Sequence, residues 1–159
     1  MNLETSLAKT TKEDLEVFIE LEKSVAGSKV YSPMLDREEA LREIEGNDVR
    51  FIKIGEEIAG SVMLESKNPN HTYISGLVVP PRFQGMGVGK KVMEIVLKEL
   101  AGKERVDLVV HPENEKAVSL YKSLGFYIES RQENYYGDGE PRLIMVYSGK
   151  TPISDLPKN

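Results

Sequence analysis

The 159-residue chain contains no cysteine. That absence excludes disulfide staples, zinc–thiolate sites and any covalent cysteine intermediate. Histidine is nearly as scarce, with 2 in the sequence, and no metal is expected. No apolar run approaches the roughly 20 residues that a membrane span needs. The start, "MNLETSLAKTTKEDLE", has no apolar core between a basic end and a small-residue cleavage site. Neither a membrane partner nor a signal peptide is therefore expected, and the expected location is cytoplasmic. Positive charge is also in short supply: 21 Lys and Arg stand against 26 Asp and Glu, for a net charge of -5. Phosphate binding needs clustered basic residues, so the balance argues against a nucleic-acid partner and is compatible with a cationic substrate. No linker and no internal repeat divides the chain.

What is present fits one globular domain, with 40% hydrophobic and 30% charged residues. That domain is expected over residues 1–149, with the aperiodic 150–159 as a tail. "NLETSLAK", with Leu3 and Leu7 alternating with polar neighbours, predicts a first strand. Thr10 and Glu13 have capping-box spacing. They open a helix with Leu15, Phe18, Ile19 and Glu22 one turn apart and Gly27 as its stop. "DREEALREIEGN" predicts a second helix, capped by Asp36 towards Glu39, with Leu41 and Ile44 inside and Gly46-Asn47 as the stop. "VRFIKI" and "IAGSVMLES" form a hairpin, and "TYISGLVV" reads as a central strand, apolar on both faces at its end. A helix with Val92, Met93, Val96, Leu97 and Leu100 follows, then the strand "RVDLVVH" and a helix closed by Gly125. "FYIESRQENYY" and "RLIMVYS" make a last hairpin. The order β-α-α-β-β-β-α-β-α-β-β predicts a single α/β domain: about seven strands in a sheet with about four helices on its faces.

Between the central strand and the third helix stands "RFQGMGVGKK", with glycine at positions 85, 87 and 89. Glycine weakens a helix start, so this placement needs a reason. Helix starts carry unpaired N–H groups and a partial positive charge. Glycine removes the Cβ that would stand between those amides and a ligand, so the start is suited to holding an anion on main-chain N–H groups. Lys90 and Lys91 add charge nearby. Two familiar nucleotide loops do not fit. A Walker loop needs Ser or Thr after Gly-Lys, and Lys91 stands there, with Gln84 where its first glycine belongs. The spacing G-x-G-x-G is not that of a dinucleotide loop.

"LVVPPRFQGMGVG" resembles the acyl-CoA loop of the GNAT superfamily of N-acetyltransferases, a strand followed by Q-x-x-G-x-G, here filled by Gln84, Gly87 and Gly89. "VVHPENEKAVSLYKSLGF" resembles the next motif of that family, with Asn114, Ala117, Leu120, Tyr121, Gly125 and Phe126 in their places. The resemblance covers nearly the whole chain in the right order. It implies a strongly twisted mixed sheet whose fourth and fifth strands splay apart, with the pantetheine arm of acetyl-CoA between them. It implies a pyrophosphate held by the amides of Gln84, Gly85, Met86, Gly87, Val88, Gly89 and Lys90. The pantetheine is expected along the backbone of Leu77, Val78 and Val79, one of whose N–H groups would polarise the thioester carbonyl. Tyr121 matches the general acid of the family, a phenol with an ordinary pKa near ~10 that suits a thiolate leaving group. Asn114 is expected to contact the pantetheine, to cap the last helix, or both.

The resemblance leaves the base open among His71, Tyr73, His111 and Glu65. Tyr73 is preferred, because relatives that acetylate protein N-termini place Glu or Tyr near there, acting through water. His111 is otherwise expected at the surface, at a strand end. "RQENYYGDGEPRLIMVY" resembles the end of the N-terminal acetyltransferase branch, including the ribosomal-protein-alanine type. It implies that Tyr135 and Tyr136 contact the first residues of a peptide. Pro141 and Arg142 depart from the pattern common there, and so does the loop "AGSKVYSPML", so peptide selectivity is not carried over. The resemblance thus implies transfer of acetyl from acetyl-CoA to a primary amine: a peptide N-terminus, or alternatively a small amine. A CoA-binding module without turnover is the further alternative. Relatives are often monomers or dimers, so a monomer or homodimer is expected.

Overall fold

The two periodicities of the sequence become seven strands and four α-helices among residues 4–149, the part that the computed structural model describes. Leu3 and the tail 150–159 lie outside the described residues. Strands β1 (Thr5–Lys9), β2 (Asp48–Ile54), β3 (Glu57–Asn68) and β4 (His71–Val78) form an antiparallel meander. Gly55 and Glu56 join β2 to β3, and Gly55 takes the positive φ of 61° that a two-residue hairpin turn requires. β5 (Arg105–Val110) lies parallel to β4. β7 (Arg142–Tyr147) and β6 (Phe126–Gln132) complete the sheet antiparallel beyond it, in the order β1-β2-β3-β4-β5-β7-β6. No described helix is long and apolar enough to cross a membrane.

Helices cover both faces. α1 (Leu15–Lys23) and α2 (Arg37–Gly46) bury Phe18, Ile19, Leu21, Ala40 and Ile44 against Val49, Phe51, Met63 and Val78. α3 (Val88–Glu99) and α4 (Glu115–Leu124) cover the other face, where Val92, Met93 and Val96 meet Ile52, Val62, Ile74 and Leu108. Each large apolar side chain so buried contributes about 1.5–3 kcal/mol. A bulge in β4 sets which face each residue joins. Gly76 pairs with Met63 and Ile74 with Leu64, so Ser75 is the extra residue. It reverses the alternation: Ile74 faces α3, while Val78 faces α1 and α2.

Several boundaries differ from the sequence expectation. The first cap lies one residue later, at Thr11, whose N–H donates to Asp14 Oδ2 at 2.8 Å. Thr10 instead is buried, and its N–H and hydroxyl both donate to Val49 O, at 2.9 and 2.7 Å. A 3-10 turn over Lys12–Asp14 precedes α1. α1 stops at Lys23, with turn residues between it and Gly27, because Ser24 Oγ donates to Leu21 O at 2.5 Å and diverts that carbonyl from a further helical turn. In α2 the inward residues are Ala40 and Ile44; Leu41 is only half-buried. β6 ends at Gln132, so Tyr135 and Tyr136 stand in a loop, where Asn134 adopts a positive φ of 50°. Asp36 caps α2 as expected, accepting the Glu39 N–H at 2.9 Å.

Candidate active site

β4 and β5 pair over only His71–Ile74 and Arg105–Leu108. Beyond Ile74 the two strands part. Val109 and Val110 go on to pair with Ile144 and Leu143 of β7, while Leu77 and Val78 pair with Val62 and Ser61 of β3. The edge of β4 that faces β5 is therefore left without a strand partner along its last residues. A cleft of about 800 Å³ opens there. Leu77, Val78 and Val79 line it from β4 and its exit, and Asn114, Ala117, Leu120 and Tyr121 from α4 and its start.

The glycine loop closes one end of this cleft. Gly85 and Gly87 have φ of 78° and 77°, a region that residues with a Cβ rarely enter. A Cβ built at either meets nothing within 4 Å, so the space before them is open. Gly89 serves packing: its Cβ would lie 3.4 Å from Leu120 Cδ2. Gly87 is the N-cap of α3 and offers no side chain to the first turn. The first amide of that turn with a backbone acceptor is that of Lys91, bonded to Gly87 O at 3.1 Å. The amides from Gly85 to Lys90 thus remain as a row of donors. Gln84 is not among them, because its N–H donates to Pro81 O at 3.2 Å. Its side chain ties the loop to the strand instead, Nε2 donating to Val79 O at 2.8 Å. Gln84, Gly85, Gly87, Val88, Gly89 and Lys90 line the cleft; Met86 is exposed and does not line it.

Tyr121 is buried on α4, with its ring centroid 5.8 Å from that of Phe126. Burial, with Tyr31 nearby, holds its phenol above the ordinary value, so it carries its proton throughout the neutral range. Asn114 caps α4, its Oδ1 facing the Ala117 N–H at 3.4 Å, and lines the cleft as well. On the α1–α2 side, Tyr73 and Tyr136 place their hydroxyls 3.4 Å apart. Burial, with Tyr136 beside it, raises the Tyr73 phenol far above its usual value. Tyr135 does not line the cleft; it supports Tyr136 edge-to-face at 4.8 Å.

The remaining base candidates separate. His71 does not line the cleft and is bonded through Nε2 to Asp107 Oδ1 at 2.8 Å. Glu65 and His111 do line it. His111 is 1% exposed, contrary to the surface position expected of it, because the loop before β7 covers the end of β5. Its Nδ1 accepts the Glu113 N–H at 3.0 Å, so Nε2 is the nitrogen that donates to Glu140 Oε1 at 2.7 Å. His111, Glu113 and Glu140 bring their ligand atoms within 4.8 Å of one another, but both histidine nitrogens are already engaged.

Two residues in the cleft wall carry more than sequence reasoning assigned to them. Glu22 on α1 is 3% exposed; its Oε2 accepts the Met34 N–H at 3.1 Å and its Oε1 has no partner. Burial, with Glu43 and Glu39 nearby, pushes its carboxyl up to about 7. The signal was present as a carboxylate on the apolar stripe of a helix. Arg142 is 2% exposed, donates to Asp138 Oδ2 at 3.1 Å and lies over the Tyr136 ring.

Comparison with known proteins locates the arrangement. The model of the Acetyltransferase (GNAT) family matches residues 15–126. The mycothiol acetyltransferase of Corynebacterium efficiens is 30% identical over 105 residues, 64% of this chain and 35% of that protein. The N-terminal acetyltransferase B complex catalytic subunit NAT3 of Saccharomyces cerevisiae is 26% identical over 111 residues, 64% of this chain and 57% of that protein. The chain spans between 21% and 57% of the length of such curated relatives. Among solved structures, the ribosomal-protein-S18-alanine N-acetyltransferase of Escherichia coli superposes with a TM-score of 0.77 at 22% identity, covering 98% of this chain and 100% of that one. That likeness is one of fold.

Proposed function

Because the chain belongs to the GNAT acetyltransferase family, we propose that it transfers an acetyl group from acetyl-CoA directly to a primary amine, the N-terminal α-amine of a peptide or protein. One observation carries the reading: Gly85, Gly87, Val88, Gly89 and Lys90, whose amides are open, and the buried Tyr121 line the same cleft, where β4 leaves β5. The amides and Lys90 take the pyrophosphate. The unpaired edge of Leu77, Val78 and Val79 takes the pantetheine as a strand would take its neighbour, and one of their N–H groups holds the thioester carbonyl oxygen.

Acetyl-CoA supplies an acyl carbon joined to a thiolate leaving group. Tyr73, fully protonated at neutral pH, acts with Tyr136 by holding a water that receives the proton of the incoming ammonium. The amine nitrogen then bonds to the acyl carbon as the carbon–sulfur bond breaks. Tyr121 gives its proton to the departing sulfur, and it is reprotonated by the second proton shed at nitrogen. The burial that raises the Tyr121 phenol also raises the proton affinity of a thiolate beside it, so the two stay matched. Products are the acetamide, free CoA and one proton.

The peptide assignment is supported by Tyr136, which lines the cleft together with the segment 30–34 between α1 and α2. A screen of N-terminal peptides, lysine peptides and small amines with acetyl-CoA tests it, with free thiol measured and products analysed by mass spectrometry. The expected product is acetylated at the α-amine. Transfer to small amines alone replaces the acceptor; tight CoA binding without thiol release makes the chain a binding module.

A further inference from the structure

The acceptor side of the cleft is walled by carboxylates from three elements: Glu22 of α1, Glu39 and Glu43 of α2, and Glu65 of β3. Acidic side chains at a surface are ordinary, and their grouping alone says nothing. Glu22 is different. It is 3% exposed, it lines the cleft, and its Oε1 has no hydrogen-bond partner. A buried carboxylate oxygen without a partner is costly and calls for an explanation, of which a bound cation at a cleft wall is one. Of the four carboxylates, only Glu65 has an ion-pair partner among the described residues, although Lys67 also lies near enough to act on Glu43. Lys67 pairs with Glu65 at 3.0 Å and Arg142 with Asp138 at 3.1 Å. Among the described residues, no lysine or arginine forms an ion pair with Glu22, Glu39 or Glu43. Glu43 Oε1 has only the Asn47 amide, at 3.1 Å.

We infer that the acceptor carries a second alkylammonium group besides the amine that is acetylated, and that this group binds Glu22 Oε1 with Glu39, Glu43 and Glu65 around it. The inference rests on the acetyltransfer reading for what happens at the other amine, but not for the binding itself. An ammonium supplies three donors and no acceptor, which suits an unpaired carboxylate oxygen at the wall of a cleft. Two sources present this chemistry: the far end of an aliphatic polyamine, or a lysine side chain close to a peptide N-terminus.

The test is isothermal titration of the CoA-saturated protein at fixed ionic strength with matched pairs. One pair is cadaverine against pentylamine; the other is two peptides identical but for lysine or norleucine at the second residue. The dicationic member of at least one pair should bind about tenfold or more tightly than its partner. In Glu22→Gln that preference should fall to about threefold or less, by the same arithmetic. Glu43→Gln, on a half-buried residue, should reduce the preference without the risk to folding that a core position carries. Preference in the diamine pair alone assigns the polyamine, and preference in the peptide pair alone assigns the lysine side chain. Equal affinities within both pairs, or a preference that Glu22→Gln leaves intact, overturn the inference. Thiol release is measured in parallel with acetyl-CoA. Its absence for every acceptor tells against acetyl transfer, while the affinity ratios still decide whether the dication site exists.

Discussion

Tyr73 of β4 and Tyr136 of the loop after β6 bring their hydroxyls to 3.4 Å across 63 residues of sequence. The contact links β4 to the loop before β7, and both tyrosines line the cleft. If the pair holds the water that takes the ammonium proton, Tyr73→Phe lowers kcat by roughly 10–100-fold while the ring keeps its packing. Tyr136→Phe lowers it too, and the double variant costs less than the sum, because both hydroxyls act on one water. A double-mutant cycle on kcat/KM measures this. Additive effects, or no effect, would remove the pair from the proton path.

Tyr121→Phe keeps the ring against Phe126 and removes only the hydroxyl. The expected loss is in turnover, roughly 10–10³-fold in kcat, with CoA affinity changed less than about tenfold. Single-turnover kinetics, which isolate the chemical step, provide the check. An unchanged rate leaves Tyr121 as packing.

Gly87 sits at a φ of 77° with open space where a side chain would point. Gly87→Ala should cost about 1–2 kcal/mol of stability from the left-handed backbone alone, read as a lower Tm. Gly87→Val adds bulk before the free amides and should weaken CoA binding by more than tenfold, about 1.4 kcal/mol. Gly89→Ala, whose Cβ meets Leu120 at 3.4 Å in an ordinary helical backbone, should lose less stability than Gly87→Ala. A folded Gly87→Val that binds CoA as the parent does would sink the assignment of the loop.

The Glu22 carboxyl stands at about 7 in the folded chain, raised from 4.5 chiefly by burial. The folded state therefore binds more protons than the unfolded state between those values, so this group's contribution to stability declines as pH rises from about 4.5 to 7. Glu22→Gln is neutral at every pH and can still accept the Met34 N–H. It should leave Tm nearly unchanged at pH 5 and raise it at pH 8, by up to roughly 3 kcal/mol of stability. Thermal melts at the two pH values decide the matter; equal shifts at both would mean that the carboxylate is not strained by its site.

The glycine loop, the α4 motif and the element order were legible because each is local. A left-handed φ at Gly87, a capping Asn114 and a stop at Gly125 are written in neighbouring residues. What was not legible depends on contacts between distant segments. The stop of α1 at Lys23 instead of Gly27 depends on one serine hydroxyl choosing Leu21 O. The helical stripe placed Glu22 inward, but only the segment containing Met34 and the carboxylates of α2 decide that its oxygen is buried and unpaired. His111 looked like a strand-end surface residue until the loop carrying Glu140 closed over it. Between Tyr135 and Tyr136, adjacent and alike, only the fold of their loop selects the one that enters the cleft.

The parallel ladder of β4 and β5, four residue pairs long, makes the sheet narrow at its middle. On one side is a four-stranded meander and on the other a three-stranded block. Such a waist is where local opening is expected to need the fewest broken backbone bonds. Whatever fills the gap beyond Ile74 acts as a clasp across it. Its occupancy stabilises the closed arrangement in proportion to the logarithm of ligand concentration over Kd. Protection of exchanging amides by such a ligand should therefore reach past the glycine loop, to Thr72, Ile74, Val106 and Leu108 at the waist itself.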